Sequence, residues 1–163
     1  MHSVALYLQR AAVDPAKLDD RDDFGRSAFN RYYYSLFLEV RRTLGIINPD
    51  WIEIKHKNAP ETLRGRVKRA IQAASRDARK IGDRELIARC ERARSLTEEL
   101  ARTLERAKSV RETADYHPET PVTFPEGERF FLSGTSITAA HAWKDLAQQW
   151  SNEVRLVIES VNP

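Results

Sequence analysis

Apolar residues recur at helical spacing along most of the chain. The clearest stripe runs over about residues 22–44 and consists of Phe29, Tyr33, Leu36, Val40 and Leu44. Side chains three or four positions apart fall on one face of an α-helix. We therefore predict a long amphipathic helix here, and we expect it to end at Gly45 because glycine commonly follows the last helical residue.

The same pattern predicts further helices. A short first helix covers residues 3–12 and ends before Pro15, since the residue before a proline disfavours the helical conformation. A third covers residues 61–80, a fourth starts at the N-cap residue Asp83 and reaches about residue 116, and a last covers residues 136–161. The predicted inward side chains of the third helix are Leu63, Val67, Ile71 and Ala74. Those of the fourth helix are Leu86, Cys90, Ala93, Leu100, Leu104 and Ala107. Those of the last helix are Ala139, Trp143, Leu146, Trp150, Val154, Val157 and Val161.

Two segments are predicted to be connections. Residues 46–60 contain two prolines, and residues 119–134 form a loop too long for a tight bundle turn, with Pro121, Pro125, Gly127 and Gly134. Because strand signals are weak, we predict an all-α fold, an antiparallel bundle of four to five helices in a single domain over residues 1–163. Trp143 and Trp150 are expected to pack in its core.

Composition excludes several classes of protein. A chain of 163 residues can bury a core without disulfides or a structural metal, and the single cysteine, Cys90, cannot form an internal bridge. We predict no metal and no cofactor. No apolar stretch approaches the roughly 20 residues that cross a bilayer, and the N-terminus has no export leader pattern. We therefore expect a cytoplasmic protein without a membrane partner.

The net charge of +3 is modest, but basic residues cluster between residues 64 and 80. The cluster consists of Arg64, Arg66, Lys68, Arg69, Arg76, Arg79 and Lys80, with Asp77 opposing it. One interpretation is a solvated helix face. The other is a phosphate-binding face whose affinity falls with added salt, in which Arg64 and Lys68 would contact RNA.

Arg111 interrupts the apolar register of the fourth helix. Steps of seven from Cys90 through Thr97 and Leu104 lead to Arg111, where the pattern calls for an apolar side chain. A charge at such a position needs a partner or a polar cleft. One alternative is an internal pair with Asp115 or with a tyrosine hydroxyl. The other is a groove in which the guanidinium holds a phosphate.

His117 is the second candidate for chemistry, because histidine exchanges protons near neutrality and follows Arg111 closely. Six residues of helix give roughly 9 Å of rise and about 120° of rotation, so the two side chains would not converge within a regular helix. Either the helix breaks before Pro118, or two subunits pool their residues.

Two stretches match a known pattern: Arg31-Tyr32-Tyr33-Tyr34-Ser35-Leu36-Phe37 with Leu44 after it, and Arg111-Glu112-Thr113-Ala114-Asp115-Tyr116-His117. They resemble the paired-tyrosine helix and the Arg-x-x-Ala-Asp-Tyr segment of HEPN domains, small helical bundles of prokaryotic toxin, antiphage-defence and nucleotidyltransferase-associated systems. The second stretch also fits the looser family ribonuclease motif of an arginine, four to six residues, then a histidine. His56 is similar to a histidine that often starts the middle of these domains. The resemblance spans about residues 22–161.

The resemblance implies metal-independent RNA cleavage, in which the RNA 2′-hydroxyl attacks the adjacent phosphate. His117 would move protons and Arg111 would stabilise the developing charge. Catalytic members act as homodimers whose motifs face each other across one cleft, which would resolve the geometric difficulty. Asn30 and Tyr33 or Tyr34, on the facing helix, would orient the substrate, although tyrosines at this spacing commonly belong to the core. A toxin–antitoxin or antiviral-defence endoribonuclease is the leading hypothesis.

The sequence departs from the toxin pattern at two positions. Glu112 follows the motif arginine where an asparagine or aspartate is common, and Glu119 stands where many toxins carry a tyrosine. The Ala-Asp-Tyr form also resembles members for which nuclease activity is often not evident. The alternative is therefore a non-catalytic subunit that partners a nucleotidyltransferase or another defence protein through the loop at residues 119–134. Arg111, Asp115 and Tyr116 would then be structural.

Overall fold

The computed structural model describes residues 1–126 and 129–160, most of which are helical. The helices are α1 (His2–Ala12), α2 (Arg21–Ile47), α3 (Ala59–Thr62), α4 (Lys68–Ile81), α5 (Arg84–Tyr116) and α6 (Ile137–Glu159). A π-helical turn, Leu63–Val67, joins α3 to α4, and short 3₁₀ turns cover Pro15–Asp20, Pro49–Trp51 and His56–Asn58. The prediction of a mainly helical chain is confirmed.

The end of α2 differs from the prediction. The helix continues through Gly45 to Ile47 and stops where Asn48, with extended backbone, precedes Pro49. Gly45 serves close packing instead, because a Cβ added there would lie 3.0 Å from Cγ1 of Ile52. The expected stop at Gly45 is therefore wrong.

The break between α4 and α5 is confirmed. Gly82 ends α4 in the left-handed conformation with a φ of 73°, which glycine adopts without steric cost. The Asp83 side chain then accepts a hydrogen bond of 2.9 Å from the backbone N–H of Leu86. This is the capping contact expected of an aspartate at a helix start.

The segment predicted to be a loop at residues 119–134 contains a small antiparallel sheet. Its strands are β1 (Thr123–Glu126), β2 (Arg129–Leu132) and β3 (Thr135–Ser136), in the order β1-β2-β3. Phe130 and Leu132 alternate inward on β2, and Pro125 is tolerated because β1 is an edge strand. An entirely helical fold is thus corrected to a helical fold with a short sheet. Gly127 lies outside the described residues.

The chain forms two compact units. Unit 1 comprises Met1–Phe37 and Glu105–Lys144, and unit 2 comprises Leu38–Leu104 and Asp145–Pro163. The largest buried side chains of unit 1 are Phe29, Tyr32, Tyr33, Leu36, Phe130, Leu132 and Ile137. Those of unit 2 are Leu44, Leu63, Ile71, Leu100 and Trp150. A single domain over the whole chain stays a prediction.

Nearly all predicted inward side chains in the described residues are buried, including Trp143 and Trp150. The exceptions lie on α6, where Ala139 is exposed and Leu146 is half-buried, whereas Ala140 and Ala147 are buried. The Ser136 hydroxyl caps the helix by accepting from the N–H of Ala139, which fixes where the helical turns begin. Val161 lies outside the described residues.

None of the helices in the described residues is both long enough and apolar enough to span a bilayer.

Candidate functional site

The candidate residues of unit 1 lie on two helices. Asn30, Tyr33 and Tyr34 belong to α2, and Arg111 and Asp115 belong to the last turns of α5. Tyr116 is the final residue of α5. Two long amphipathic helices therefore supply the arginine cluster, which we define as Asn30, Tyr34, Arg111, Asp115 and Tyr116.

Arg111 is largely buried and is surrounded by partners. Its side chain is 20% exposed, and its Nε lies 2.9 Å from Oδ2 of Asp115. The Nε hydrogen is not aligned with a hydrogen-bond acceptor, so this contact is an ion pair rather than a hydrogen bond. Nη2 donates to the Tyr34 hydroxyl at 3.4 Å. Both internal contacts suggested by the sequence are therefore present.

Aromatic rings flank the Arg111 guanidinium. Its central carbon lies 5.9 Å from the Tyr34 ring centre and 5.6 Å from that of Tyr116, which are cation–π distances. Burial disfavours the charged form, but the Tyr34 hydroxyl and the Asp115 carboxylate outweigh it and raise the pKa of Arg111 above its ordinary value. The guanidinium is thus a fixed positive charge.

Asn30 extends the cluster to α2. Its Nδ2 donates a hydrogen bond of 2.6 Å to Oδ1 of Asp115, while the other carboxylate oxygen faces Arg111. Asp115 is therefore held from both sides. The Asn30–Asp115–Arg111 chain fixes the arginine and offsets much of its charge.

Tyr33 belongs to the core. Its side chain is 1% exposed, and its ring stacks on Phe37 at a centroid distance of 6.3 Å. Burial raises the pKa of Tyr33 to about 12, although the positive charge of Arg111 opposes this shift. Of the two tyrosines, Tyr34 is the one whose hydroxyl contacts Arg111.

His117 directly follows α5 and its side chain is exposed, with 56% of its surface accessible. Its backbone N–H still donates to the Thr113 carbonyl at 3.1 Å, so the helical path continues to this residue. Nδ1 lies 2.8 Å from Oε1 of Glu119. A hydrogen bond from the Glu119 backbone N–H and the contact with His117 lower the pKa of the Glu119 carboxyl.

The side chains of Arg111 and His117 have separate partners. Within the described residues, Arg111 contacts Tyr34, Asp115 and Tyr116, whereas the imidazole of His117 contacts Glu119. The helix does not break in a way that joins them. A site that uses both groups on one phosphate would therefore need residues from two copies of the chain.

Arg26, on α2, is a residue that the sequence analysis did not single out. Its guanidinium donates to carbonyl oxygens at and beyond the end of α5, at distances of 2.5–3.4 Å. The acceptors belong to Thr113, Ala114, His117, Pro118 and Thr120. Its Nε also donates to Asp22 at 2.5 Å, and Asp22 in turn accepts from the N–H of Val122 at 2.7 Å. Arg26 thereby fixes the backbone that carries His117.

The sequence offered only a weak signal for these contacts. Asp22 and Arg26 stand four residues apart at the start of a predicted helix, which suggested no more than a surface ion pair. Glu119 stands where many of the resembling toxins carry a tyrosine, and nothing in its spacing indicates a contact with His117.

The remaining candidates belong to unit 2. Arg64 lies in the π-helical turn and its Nε donates to Oε1 of Glu98 at 3.2 Å, with both side chains partly exposed. Lys68 is the first residue of α4 and is half-buried. These two basic residues are four positions apart in the chain and line a groove of unit 2.

No set of three or more His, Cys, Asp or Glu side chains in residues 1–126 and 129–160 is arranged to hold a metal ion. Comparisons with protein-family models, with curated proteins and with solved structures found no match for the chain.

Proposed function

We propose that this chain is a HEPN-type helical bundle that acts in the cytoplasm as a dimeric, metal-independent endoribonuclease of a toxin or antiphage-defence system. The observation that carries the proposal is the environment of His117. Its imidazole is exposed, its Nδ1 meets the Glu119 carboxylate at 2.8 Å, and its Nε2 has no partner among the described residues. A carboxylate on one ring nitrogen orients the ring and leaves the other nitrogen for proton transfer.

The proposed reaction is an internal transesterification of RNA. A neutral His117 takes the proton of a ribose 2′-hydroxyl, and the oxygen forms a bond to the adjacent phosphorus. The bond from phosphorus to the 5′-oxygen breaks, and that oxygen receives the proton that His117 has taken. The products are a 2′,3′-cyclic phosphate and a free 5′-hydroxyl, and no water is consumed.

Arg111 would stabilise the charge that develops on the non-bridging phosphate oxygens. Its Nε and Nη2 are engaged by Asp115 and Tyr34, but Nη1 has no partner among the described residues. The fixed guanidinium would therefore offer one preorganised edge to a phosphate. Because Arg111 and His117 of one chain have separate partners, the proposal requires a dimer.

A second candidate function is supported by the same cluster. The Arg111 charge is offset by Asp115, which Asn30 also holds, and a second carboxylate, Glu112, follows in the sequence. An arginine neutralised in this way stabilises a helix pair without any substrate. The chain would then be a non-catalytic HEPN subunit that assembles with a nucleotidyltransferase or another defence protein.

The deciding experiment is cleavage of total RNA and of a tRNA panel by the purified protein in excess EDTA. We expect Arg111→Ala and His117→Ala each to lower the rate by about 100-fold or more, since removal of a general acid–base or charge-stabilising group has effects of this size. The matched controls are Arg106→Ala, an exposed arginine on the same helix, and His56→Ala. Circular dichroism checks that every variant keeps its helical content.

Mixing two inactive variants tests the shared site. If Arg111 of one subunit works with His117 of the other, randomly exchanged dimers of Arg111→Ala and His117→Ala restore one intact pair and recover about a quarter of the wild-type activity. A mixture that stays inactive despite exchange contradicts a composite site. An active His117→Ala variant, or a wild type that cleaves nothing with or without other defence proteins, favours the non-catalytic subunit.

A further inference from the structure

A basic groove runs along unit 2 between α4 and α5. It consists of two adjoining cavities of about 420 and 340 Å³, which share Glu91 and Arg94 in their walls. Its basic side chains are Arg64, Lys68, Arg76, Arg79, Arg94 and Arg102. The sequence pointed to the first four, whereas the two from α5 join them only through folding.

Most of this positive charge is uncompensated. The acidic side chains in the groove wall are Glu91 and Glu98, and Glu98 is engaged by Arg64 at 3.2 Å. The other five basic side chains, Lys68, Arg76, Arg79, Arg94 and Arg102, have no ion-pair partner within the part of the chain that the structure describes. Elsewhere on these helices cations do find partners, for example Lys80 with Asp77 and Arg89 with Glu85. The groove therefore attracts an anion.

The cations form two rows. Lys68, Arg76 and Arg79 share one face of α4, and Arg94 and Arg102 stand eight residues apart on α5. At 1.5 Å per residue, the row from Lys68 to Arg79 extends over roughly 17 Å. A row of this length matches a ligand with regularly repeated negative charges rather than a single phosphate.

We propose that the groove binds the phosphodiester backbone of a single-stranded nucleic acid, RNA if the proposed function holds. Helices in contact have axes about 8–10 Å apart, so a groove between them admits one strand and not a duplex. No aromatic side chain is present among the lining residues, and the apolar ones, Ile71 and Cys90, are buried. A backbone ligand suits this surface, whereas a protein partner would need exposed apolar or aromatic anchors. The bases are not stacked, so binding is independent of sequence.

This inference does not rest on the proposed function, since a non-catalytic chain would bind in the same way. The two therefore fail separately. Loss of cleavage with retained binding counts against the nuclease alone, and cleavage without groove-dependent binding counts against the groove alone.

The test is fluorescence anisotropy with two labelled 20-nucleotide probes. Oligouridylate is used with the His117→Ala variant so that it cannot be cut, and oligothymidylate, which lacks 2′-hydroxyls, is used with the wild type. Each phosphate contact on a single strand contributes about −0.7 to the slope of log affinity against log salt concentration. If each of the five unpaired cations contacts one phosphate, the slope is about −3.5. Binding of either probe with this slope supports a groove for the phosphodiester backbone. The ratio of the affinities for the two probes measures the contribution of the 2′-hydroxyl.

The matched variants remove the same charge from the same two helices. Arg76→Ala with Arg94→Ala, both in the groove, should weaken binding by about tenfold at 0.1 M salt and reduce the slope to about −2. Arg69→Ala with Arg84→Ala, both exposed and outside the groove wall, should leave affinity and slope nearly unchanged. Because all four side chains are exposed, the helices tolerate their loss. Arg76→Gln with Arg94→Gln provides a second groove variant.

Three results would overturn the proposal. The first is a wild type that binds neither probe at low salt. The second is an equal loss of affinity in both double variants, which indicates that net charge alone governs binding. The third is binding of polyglutamate through Arg76 and Arg94 without binding of the nucleic acids. The last result would assign the groove to an acidic protein segment.

Discussion

The guanidinium of Arg26 joins the start of α2 to the turn that follows α5. The final carbonyl groups of an α-helix have no partner within the helix and carry partial negative charge. Arg26, whose side chain is 11% exposed, meets this need by donating to the carbonyls of Thr113, Ala114 and His117. The same contacts fix the position of His117, so stability and the candidate chemistry depend on one side chain.

We predict that Arg26→Ala lowers the free energy of unfolding by about 2–3 kcal/mol, because it removes several charge-assisted hydrogen bonds at a largely buried site. Arg26→Lys should recover only part of this loss, since an ammonium group cannot reproduce the planar fork. Urea denaturation measures the change. The control is Arg31→Ala, an exposed arginine on the same helix, which should change stability by no more than about 0.5 kcal/mol. Equal losses in the two variants would contradict the role of Arg26.

Two buried tyrosines make stability depend on pH in alkaline solution. Burial raises the pKa of both Tyr32 and Tyr33 to about 12 from an ordinary value of 10.0. Above pH 10 the unfolded chain releases these protons first and binds fewer protons than the folded chain, so the free energy of unfolding falls as pH rises.

The predicted loss lies between about pH 10 and 12 and amounts to about 3 kcal/mol for each tyrosine. Below pH 10 this contribution is fully present. Tyr33→Phe should make the decline over this window shallower than in the wild type, as measured by urea denaturation at a series of pH values. Tyr7→Phe, at an exposed position, is the control. An unchanged slope in Tyr33→Phe would show that burial of this phenol does not govern alkaline unfolding.

At the scale of elements, a buried polar contact joins α5 to α6 within unit 2. The indole N–H of Trp150 donates to the Thr97 hydroxyl at 3.1 Å, and this hydroxyl donates to the Ala93 carbonyl at 2.6 Å. Both side chains are buried, so the indole N–H has no access to water if the hydroxyl is removed. Thr97 is thus a polar residue on the apolar face of α5, and its hydrogen bond with Trp150 fixes how α5 and α6 pack.

Thr97→Val keeps the shape of the side chain but leaves the indole N–H without an acceptor. We predict a loss of about 1–3 kcal/mol in the free energy of unfolding, the usual cost of an unsatisfied buried donor. Thr97→Ser retains the hydroxyl and should lose less. Urea denaturation measures the change in both variants, and a loss in Thr97→Ser as large as that in Thr97→Val would contradict the role of the hydrogen bond.

At the scale of the whole molecule, charge is divided unequally. The net charge of +3 arises from 27 basic and 24 acidic side chains, a small excess that gives no indication of a binding surface. Ion pairs on most helices remove charge locally, whereas the groove of unit 2 retains five basic side chains without such partners in the described residues. The distribution of pairs, rather than net charge, defines the candidate surface.

Local sequence patterns were sufficient to predict the helices and most of the core. Helical periodicity is a local property, so positions such as Leu36, Val67 and Trp150 could be assigned to the interior from their spacing alone. The contact of Arg111 with Asp115 was also predictable, because residues four apart meet on one helix. The Asp83 cap follows from the same local rules.

The remaining contacts depend on how distant parts of the chain fold together. Arg26 contacts carbonyls 87–94 positions away, and the groove combines Arg76 with Arg94, so neither has a periodic signal. The short sheet was missed because its strands have two to four residues each, too few for alternation to be evident beside Pro125. Local spacing specifies which side of a helix is buried, whereas the partners of charged side chains depend on which helices meet. For that reason Arg111 and His117 could be identified as candidates from the sequence, whereas the residues that hold them in place could not.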